Sequence, residues 1–259
     1  MILVHISKSK ALEWGPLDGV LLYGPPGTGK TTLVHAVARK AKVPFFTVSA
    51  RDIAKAKAGK KEVEGLCAEA RVYKPSIVYI KDIDAIDPNY PRPRGNGEFG
   101  VTLDEFCHEM ERCMNGGNVM VIATTDRRET LDRSLMSLFF RKVHVGRPNT
   151  DNRRKFIGLQ LNKFLKEEDR EAICNLVASR TPGVVWGHLR KIANISLMLA
   201  DIRDDDYVTM DVVLQALEKV KPLILDIKTS QLIRDDKPER VLNYQMQHMV
   251  DTMDFGYQN

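Results

Sequence analysis

The chain has 259 residues and a formal net charge of +5, with 43% hydrophobic and 28% charged residues. These values are near the average of soluble proteins, so they exclude a disordered or collagen-like chain and allow a sizeable buried core. Acids and bases alternate along the sequence, which does not indicate a nucleic-acid partner. The cysteines lack paired metal-ligand spacing, which favours reduced thiols in a compartment like the cytosol: Cys67, Cys107, Cys113 and Cys174.

The opening residues, MILVHISKSKALEW, contain an apolar run too short to cross a membrane and no signal-peptide cleavage site. We therefore expect a soluble chain without a membrane span. Its first recognisable motif begins close to Met1, as it would if the chain were an excised piece of a longer protein. In CHEMERC, His108 and Glu109 are adjacent, but Arg112 stands where a zinc-protease helix has its second histidine. We therefore expect no protease activity from this segment.

Apolar runs typical of buried strands follow in chain order: GVLLYG, PFFTVS, SIVYI, VMVIATT and KVHVG. Most segments between them have helical periodicity, which predicts an α/β fold with a parallel sheet between helical layers. After Pro148 only helical periods remain. We therefore predict an αβα domain over 1–148, a small all-helical domain over 149–220 and a helical tail over 221–259. The tail carries apolar residues at helical spacing, for which core packing is favoured over partner docking: Leu242, Met246, Met249 and Met253.

The stretch GVLLYGPPGTGKTT joins a strand, a glycine-rich loop and a helix start, and it matches the P-loop pattern G-x-x-x-x-G-K-[ST]. Such a loop turns backbone N–H groups towards phosphates, Lys30 brings a positive charge, and the Thr31 hydroxyl is a magnesium ligand. The N-terminus of the following helix adds its own positive end. We predict that ATP or ADP binds to Gly24, Pro25, Pro26, Gly27, Thr28, Gly29, Lys30, Thr31 and Thr32.

Four segments resemble the AAA ATPases: GVLLYGPPGTGKTTLVHAVARKAKVPFFTVSARDI, KPSIVYIKDIDAI, TLDEFCHEM and VMVIATTDRRETLDRSL. The resemblance covers roughly residues 17–220 and is greatest to the branch with FtsH-type proteases, proteasomal ATPases and katanin-like remodellers. It implies a P-loop nucleotide-binding domain followed by a helical lid. It also implies a ring of identical or different subunits, or another protein complex, with ATP between neighbours and a central pore that pulls on polypeptide.

The third strand of the family ends with adjacent acids that hold the magnesium shell and polarise the attacking water. Here Lys81 and Asp82 match those positions, and Thr31 with Asp82 is the remaining candidate metal set. At an effective dielectric of about 20, a lysine about 5 Å from Mg²⁺ is repelled by roughly 7 kcal/mol, so we expect weakened metal binding. Lys81 then neutralises phosphate in the metal's place. Alternatively, it extends into solvent while Asp82 or Asp84 serves the metal.

Two further catalytic positions differ from the family. Asp126 stands where a polar sensor, usually asparagine, donates to the γ-phosphate, and a carboxylate repels that phosphate instead. Thr125 is an alternative sensor, and capping of the next turn is an alternative role for Asp126. In SLFFRKV, only Arg141 matches an arginine that reaches a neighbour's γ-phosphate, and a surface charge is its alternative role.

The segment IAKAKAGKK stands where the family has an aromatic pore residue, and lysines offer little apolar area to grip a chain. A solvated face is the default interpretation of its lysines, and an acidic partner or nucleic acid is the alternative: Lys55, Lys57, Lys60 and Lys61. In TPGVVWGHL, which matches the lid turn over the adenine, Gly187 and His188 are candidate base contacts. Trp186 in that turn is expected to belong to the core.

The P-loop is complete, whereas the acid pair, the sensor and the arginine run are altered. We therefore expect an ATP-binding AAA protein with weak or absent hydrolysis that serves as a structural or regulatory subunit. The alternative is an active ATPase that remodels proteins, with Asp82 as the base and Arg141 as the arginine finger.

Nucleotide affinity should depend on magnesium less than it does in a typical AAA protein, because Lys81 opposes the metal. Titration of a labelled nucleotide with and without a chelator measures this dependence. Loss of affinity by tenfold or more on chelation, about 1.4 kcal/mol, would contradict the prediction.

Overall fold

The computed structural model describes residues 19–56, 59–87, 101–115 and 118–225. These residues form two compact units, with 19–25 and 30–145 in the first and 26–29 and 146–225 in the second. Residues 226–259 of the predicted tail, including its apolar stripe over 242–253, lie outside the described residues. No helix in the described part of the chain is long and apolar enough to cross a membrane.

The first unit contains a parallel sheet in the order β2-β3-β4-β1-β5, which confirms the predicted α/β fold. Its strands are β1 (Val20–Tyr23), β2 (Phe45–Ser49), β3 (Ser76–Lys81), β4 (Val119–Thr125) and β5 (Arg141–His144). Its helices are α1 (Lys30–Ala41), α2 (Ala50–Lys55), α3 (Gly59–Val72), α4 (Leu103–Asn115) and α5 (Arg133–Ser137). Short 3₁₀ turns span Ile83–Ile86 and Arg128–Thr130.

Both faces of the central strands are buried, as expected for a parallel sheet covered by helices. On one face, alternate residues of β1, β3 and β4 share a core with α3 and α4, including Leu21, Val78, Val121, Val63 and Phe106. The other face packs against α1, where the rings of His35 and Tyr79 lie 6.0 Å apart in an edge-on arrangement. This burial fixes the register of the strands, because a shift of one residue would exchange the two faces.

A capping box starts helix α4 and explains the stretch TLDE. The Thr102 hydroxyl accepts from the Glu105 N–H at 3.3 Å, and the Glu105 carboxylate accepts from the Thr102 N–H at 3.0 Å. Lys60 pairs with the same carboxylate at 3.0 Å. The Thr102 backbone N–H, Lys60 and the Thr102 hydroxyl lower the pKa of Glu105 to about 2.

The second unit is helical, with α6 (Thr150–Gln160), a 3₁₀ turn (Asn162–Phe164), α7 (Glu167–Arg180), α8 (Trp186–Ile202) and α9 (Met210–Leu225). Helix α6 begins at an Asn149 cap, whose side chain accepts from the Asn152 N–H at 2.8 Å. Buried Arg153 donates to the carbonyls of Pro148 and Ala178, both at 2.9 Å, and so connects α6 with the end of α7. Apolar residues from all four helices, such as Ile157, complete a separate core.

Replacing Phe106 with alanine should lower the free energy of unfolding by about 3 to 5 kcal/mol, because it empties a fully buried site between helix and sheet. Chemical denaturation followed by circular dichroism measures the change. Phe140 is 76% exposed, so Phe140→Ala is the matched control and should change stability by less than about 0.5 kcal/mol. Equal losses in both variants would contradict this account of the core.

Candidate functional site

The loop between β1 and α1 has backbone conformations that favour glycine. Gly24, Gly27 and Gly29 have φ angles of 149°, 77° and 92°. A side chain at Gly24 would also collide with the chain, because its Cβ would lie 2.2 Å from the carbonyl oxygen of Val145. A strand, a loop with these conformations and a helix start are the features of a phosphate-binding loop. The loop backbone therefore fits a bound nucleotide.

Lys30 lies at the start of α1, and its ammonium group has three close acceptors. Nζ donates to the carbonyl oxygens of Gly24 and Pro25 at 2.7 and 2.8 Å, and it lies 2.6 Å from Oδ1 of Asp126. An ammonium group has three N–H donors, so these contacts engage all of them. A phosphate that binds Lys30 has to replace at least one of these acceptors.

A row of hydroxyl groups runs from α1 across the sheet. The Thr31 hydroxyl lies 3.0 Å from the Tyr79 hydroxyl, which lies 3.2 Å from the Thr124 hydroxyl. Sequence reasoning missed Tyr79 and Thr124. The available signal was their hydroxyl groups within apolar strand runs, since a buried Tyr O–H needs a partner. The candidate magnesium ligand Thr31 is therefore already hydrogen-bonded within the protein.

The end of β3 carries Lys81 and Asp82, the two residues that the resemblance matches to the family's acid pair. Lys81 is exposed, and Asp82 follows it in the left-handed region at φ 54°. Oδ2 of Asp82 lies 3.2 Å from Nε of Arg51 at the start of α2, a residue that sequence reasoning also missed. The candidate base is thus paired with a cation from another segment.

The alternative acid and the alternative sensor are bonded to each other. Asp84 is buried in the 3₁₀ turn after β3, and its Oδ1 accepts a hydrogen bond from the Thr125 hydroxyl at 2.8 Å. The same hydroxyl accepts from the Arg127 N–H at 3.0 Å. The two groups therefore fix the turn in which Asp126 stands.

Arg141 lies away from the other candidate residues. It is the first residue of β5 and pairs with Val20, the first residue of β1, while the phosphate loop follows the last residue, Tyr23. At about 3.3 Å per residue, a strand of this length separates its two ends by roughly 10 Å. The structure therefore brings Lys30 and Asp126 together, whereas Arg141 lies at the opposite end of the strands.

In the second unit, loop residues contact the start of α8. The Gly187 N–H donates to the Gly27 carbonyl at 3.4 Å, and a Cβ at Gly29 would lie 3.5 Å from Cδ1 of Trp186. Burial lowers the pKa of His188, and the charge of Lys191 lowers it further. Its buried Nδ1 has no hydrogen-bond partner among the described residues. Gly187 thus contacts the glycine-rich loop, whereas the His188 N–H donates to the Val185 carbonyl.

The lysine segment is only partly described, since Lys57 lies outside the described residues. Lys55 ends α2, and Lys60 is paired with Glu105. Neither position tests the role of the segment, which stays a prediction from the sequence.

Two of the candidate metal ligands have partners within the protein. Magnesium in nucleotide sites is usually held by one or two carboxylates together with phosphates. Here Asp82 is ion-paired with Arg51, Thr31 is hydrogen-bonded, and the cation Lys81 directly precedes Asp82. In the described part of the chain, no group of three or more His, Cys, Asp or Glu side chains is placed to hold a metal ion.

Residues 20–147 match the sequence profile of the ATPase family associated with various cellular activities (AAA). This chain belongs to the AAA ATPase family. Among its relatives is the ATP-dependent zinc metalloprotease FtsH 4 of Synechocystis sp., which is 34% identical over 87% of this chain and 36% of its own length. FtsH of Thermotoga maritima is 34% identical over 87% of the chain and 37% of its own length.

The chloroplastic FTSH 6 of Arabidopsis thaliana is 32% identical over 87% of this AAA chain and 33% of its own length. The chain therefore spans about a third of these relatives. Their matching part is an AAA module of the FtsH type, as the sequence resemblance predicted. Membership of the family implies nucleotide binding, usually with magnesium, and assembly into rings.

Replacing Lys30 with alanine should lower ATP and ADP affinity by at least about tenfold. The variant removes the positive charge that attracts the phosphates and leaves the Asp126 carboxylate, without this cation, to repel them; a tenfold loss corresponds to about 1.4 kcal/mol. Calorimetric titration measures the affinity. Lys40 is exposed on the same helix, so Lys40→Ala is the matched control and should bind normally. Unchanged affinity in Lys30→Ala would contradict the assigned site.

Proposed function

We propose that this AAA chain binds ATP or ADP through its P-loop and hydrolyses ATP weakly or not at all. In this proposal it is a structural or regulatory subunit of an AAA ring or a larger complex. The observation that carries the proposal is the end of β3, where Lys81 replaces the first acid and Asp82 is paired with Arg51. Binding needs the loop and Lys30, whereas hydrolysis needs free carboxylates at this strand end.

The electrostatics at β3 support weak hydrolysis. A carboxylate polarises a water best when it is free to contact that water, whereas Asp82 is paired with the Arg51 guanidinium. Lys81 adds a second positive charge at the strand end, where a typical AAA site would hold magnesium. Phosphate charge can therefore be balanced by Lys30 and Lys81, with little help from a metal.

The position of Arg141 supports an assembly in which neighbours share a site. Arg141 and the phosphate loop of the same chain lie at opposite ends of the strands. Arg141 therefore serves as an arginine finger only towards the nucleotide of another subunit. Its neighbour Phe140 is 76% exposed and available for contact with such a subunit. We propose that the partners are AAA subunits, identical or different, and we propose no nucleic-acid partner.

The relatives are named ATP-dependent zinc metalloproteases, but this chain corresponds to only about a third of each. We propose no protease activity for this segment, because CHEMERC lacks the second histidine of a zinc-protease helix. We also propose that magnesium is held weakly and that the compartment is reducing, since Cys67, Cys107, Cys113 and Cys174 are free thiols.

An active ATPase that remodels proteins is the second candidate. Asp82 favours it, because a carboxylate still stands directly after β3, and Arg141 still matches one arginine of the family. In this case Asp82 leaves Arg51 during turnover and acts as the base.

Wild-type chain should turn over ATP far below about 1 per second, and the double variant Lys81→Asp/Asp82→Glu should recover only part of ordinary activity. The reason is that only one arginine of the family's run is matched here, and an absent finger alone costs about 10³ to 10⁵ in rate, so the acids do not restore the whole site. Phosphate release at saturating ATP measures turnover. Lys81→Asp alone is a further variant that leaves the Asp82 backbone unchanged.

Each repaired variant is also measured with Arg141→Ala. Suppose that a variant with restored acids reaches ordinary turnover and loses it with Arg141→Ala. The acid pair is then the only part of the site that limits hydrolysis, and the active-ATPase candidate replaces the proposed function. Nucleotide titration of the same variants shows whether each site still binds.

A further inference from the structure

Asp126 is held next to the lysine of the phosphate loop. It directly follows β4, whose last residue Thr125 pairs with Tyr23 at the end of β1. Hydrogen bonds of the Thr125 hydroxyl to Asp84 and Arg127 fix the backbone on both sides of position 126. The sheet and these hydrogen bonds therefore determine the position of the Asp126 carboxylate next to Lys30.

The two side chains of this ion pair differ in their exposure to solvent. The Lys30 side chain is 8% exposed, whereas the Asp126 side chain is 40% exposed, and 2.6 Å separates Nζ from Oδ1. The other two N–H donors of Lys30 go to loop carbonyls of Gly24 and Pro25. Among the contacts of the Lys30 ammonium group with the described residues, the one with Asp126 is directed outside the backbone of the loop.

A P-loop lysine normally reaches the β- and γ-phosphates of a bound nucleotide. A triphosphate brings one more phosphate group and more negative charge to this lysine than a diphosphate does. A carboxylate already bonded to Lys30 competes with that extra group and repels it, since like charges at close range are unfavourable. The α- and β-phosphates are cradled by loop backbone N–H groups, which do not require Asp126 to leave.

We propose that Asp126 makes this site select nucleoside diphosphates over nucleoside triphosphates, an inference that rests on the nucleotide binding proposed above. The diphosphate binds while the Lys30–Asp126 pair stays intact, whereas the triphosphate binds only after the carboxylate has been displaced. The site thus retains the diphosphate form under conditions where both nucleotides are present.

The test compares the affinities of ADP and a non-hydrolysable ATP analogue in wild type and Asp126→Asn by calorimetric titration. Wild type should bind ADP at least ten times more tightly than the analogue. Asp126→Asn keeps the size of the side chain but removes its charge, and it should raise analogue affinity until the ratio falls at least tenfold. Asp126→Ser should give the same change. Each titration is run with magnesium and with a chelator, so that a metal effect is seen separately.

Glu129→Gln is the matched control, because it removes one exposed negative charge from the following turn without touching Lys30. This variant should keep the wild-type ratio. A wild-type ratio near one, or a ratio that Asp126→Asn leaves unchanged, overturns the inference while nucleotide binding stands. An equal drop in Glu129→Gln overturns it as well, since the effect would then be one of net charge. Absence of binding by either nucleotide in wild type overturns both this inference and the proposed function.

Discussion

The central strands β3 and β4 are buried on both faces, and this burial determines where the polar groups of the site can stand. Side chains within these strands have to pack against helices, so charged residues are confined to the last position of β3, Lys81, and to the residues just beyond the strand ends. Because the strands are parallel, those ends meet at one edge of the sheet. Lys30 follows the loop after β1, Asp82 follows β3 and Asp126 follows β4, and their neighbourhood is a consequence of the sheet order.

At this edge the protein balances its own charges in two ion pairs, Lys30 with Asp126 and Arg51 with Asp82. The pairs differ in burial. The Arg51 side chain is 51% exposed, so solvent screens its pair. Lys30 is 8% exposed, and removal of its partner would leave a largely desolvated cation that needs another anion. The phosphate loop therefore has the more strongly held of the two pairs.

The strands and the loop could be predicted because their signals are local. Apolar runs of strand length, turn glycines and the G-K-T spacing each lie within one short segment, and all five predicted strands are present. Tyr79 and Arg51 could not be predicted in their roles, because each meets a residue from a distant segment, Thr31 and Asp82. The same limit applies to Asp126, whose carboxylate was recognised as unfavourable to phosphate although its contact with Lys30 depends on the sheet order.

The left-handed backbone at Asp82 bears on which side chains this strand end can hold. Aspartate adopts that conformation more readily than longer residues, for which it costs roughly 1 to 2 kcal/mol. A glutamate at this position would meet that cost, and its longer side chain would have to change the contact that Asp82 makes with Arg51. The backbone conformation and the ion pair therefore favour the same short acid at position 82.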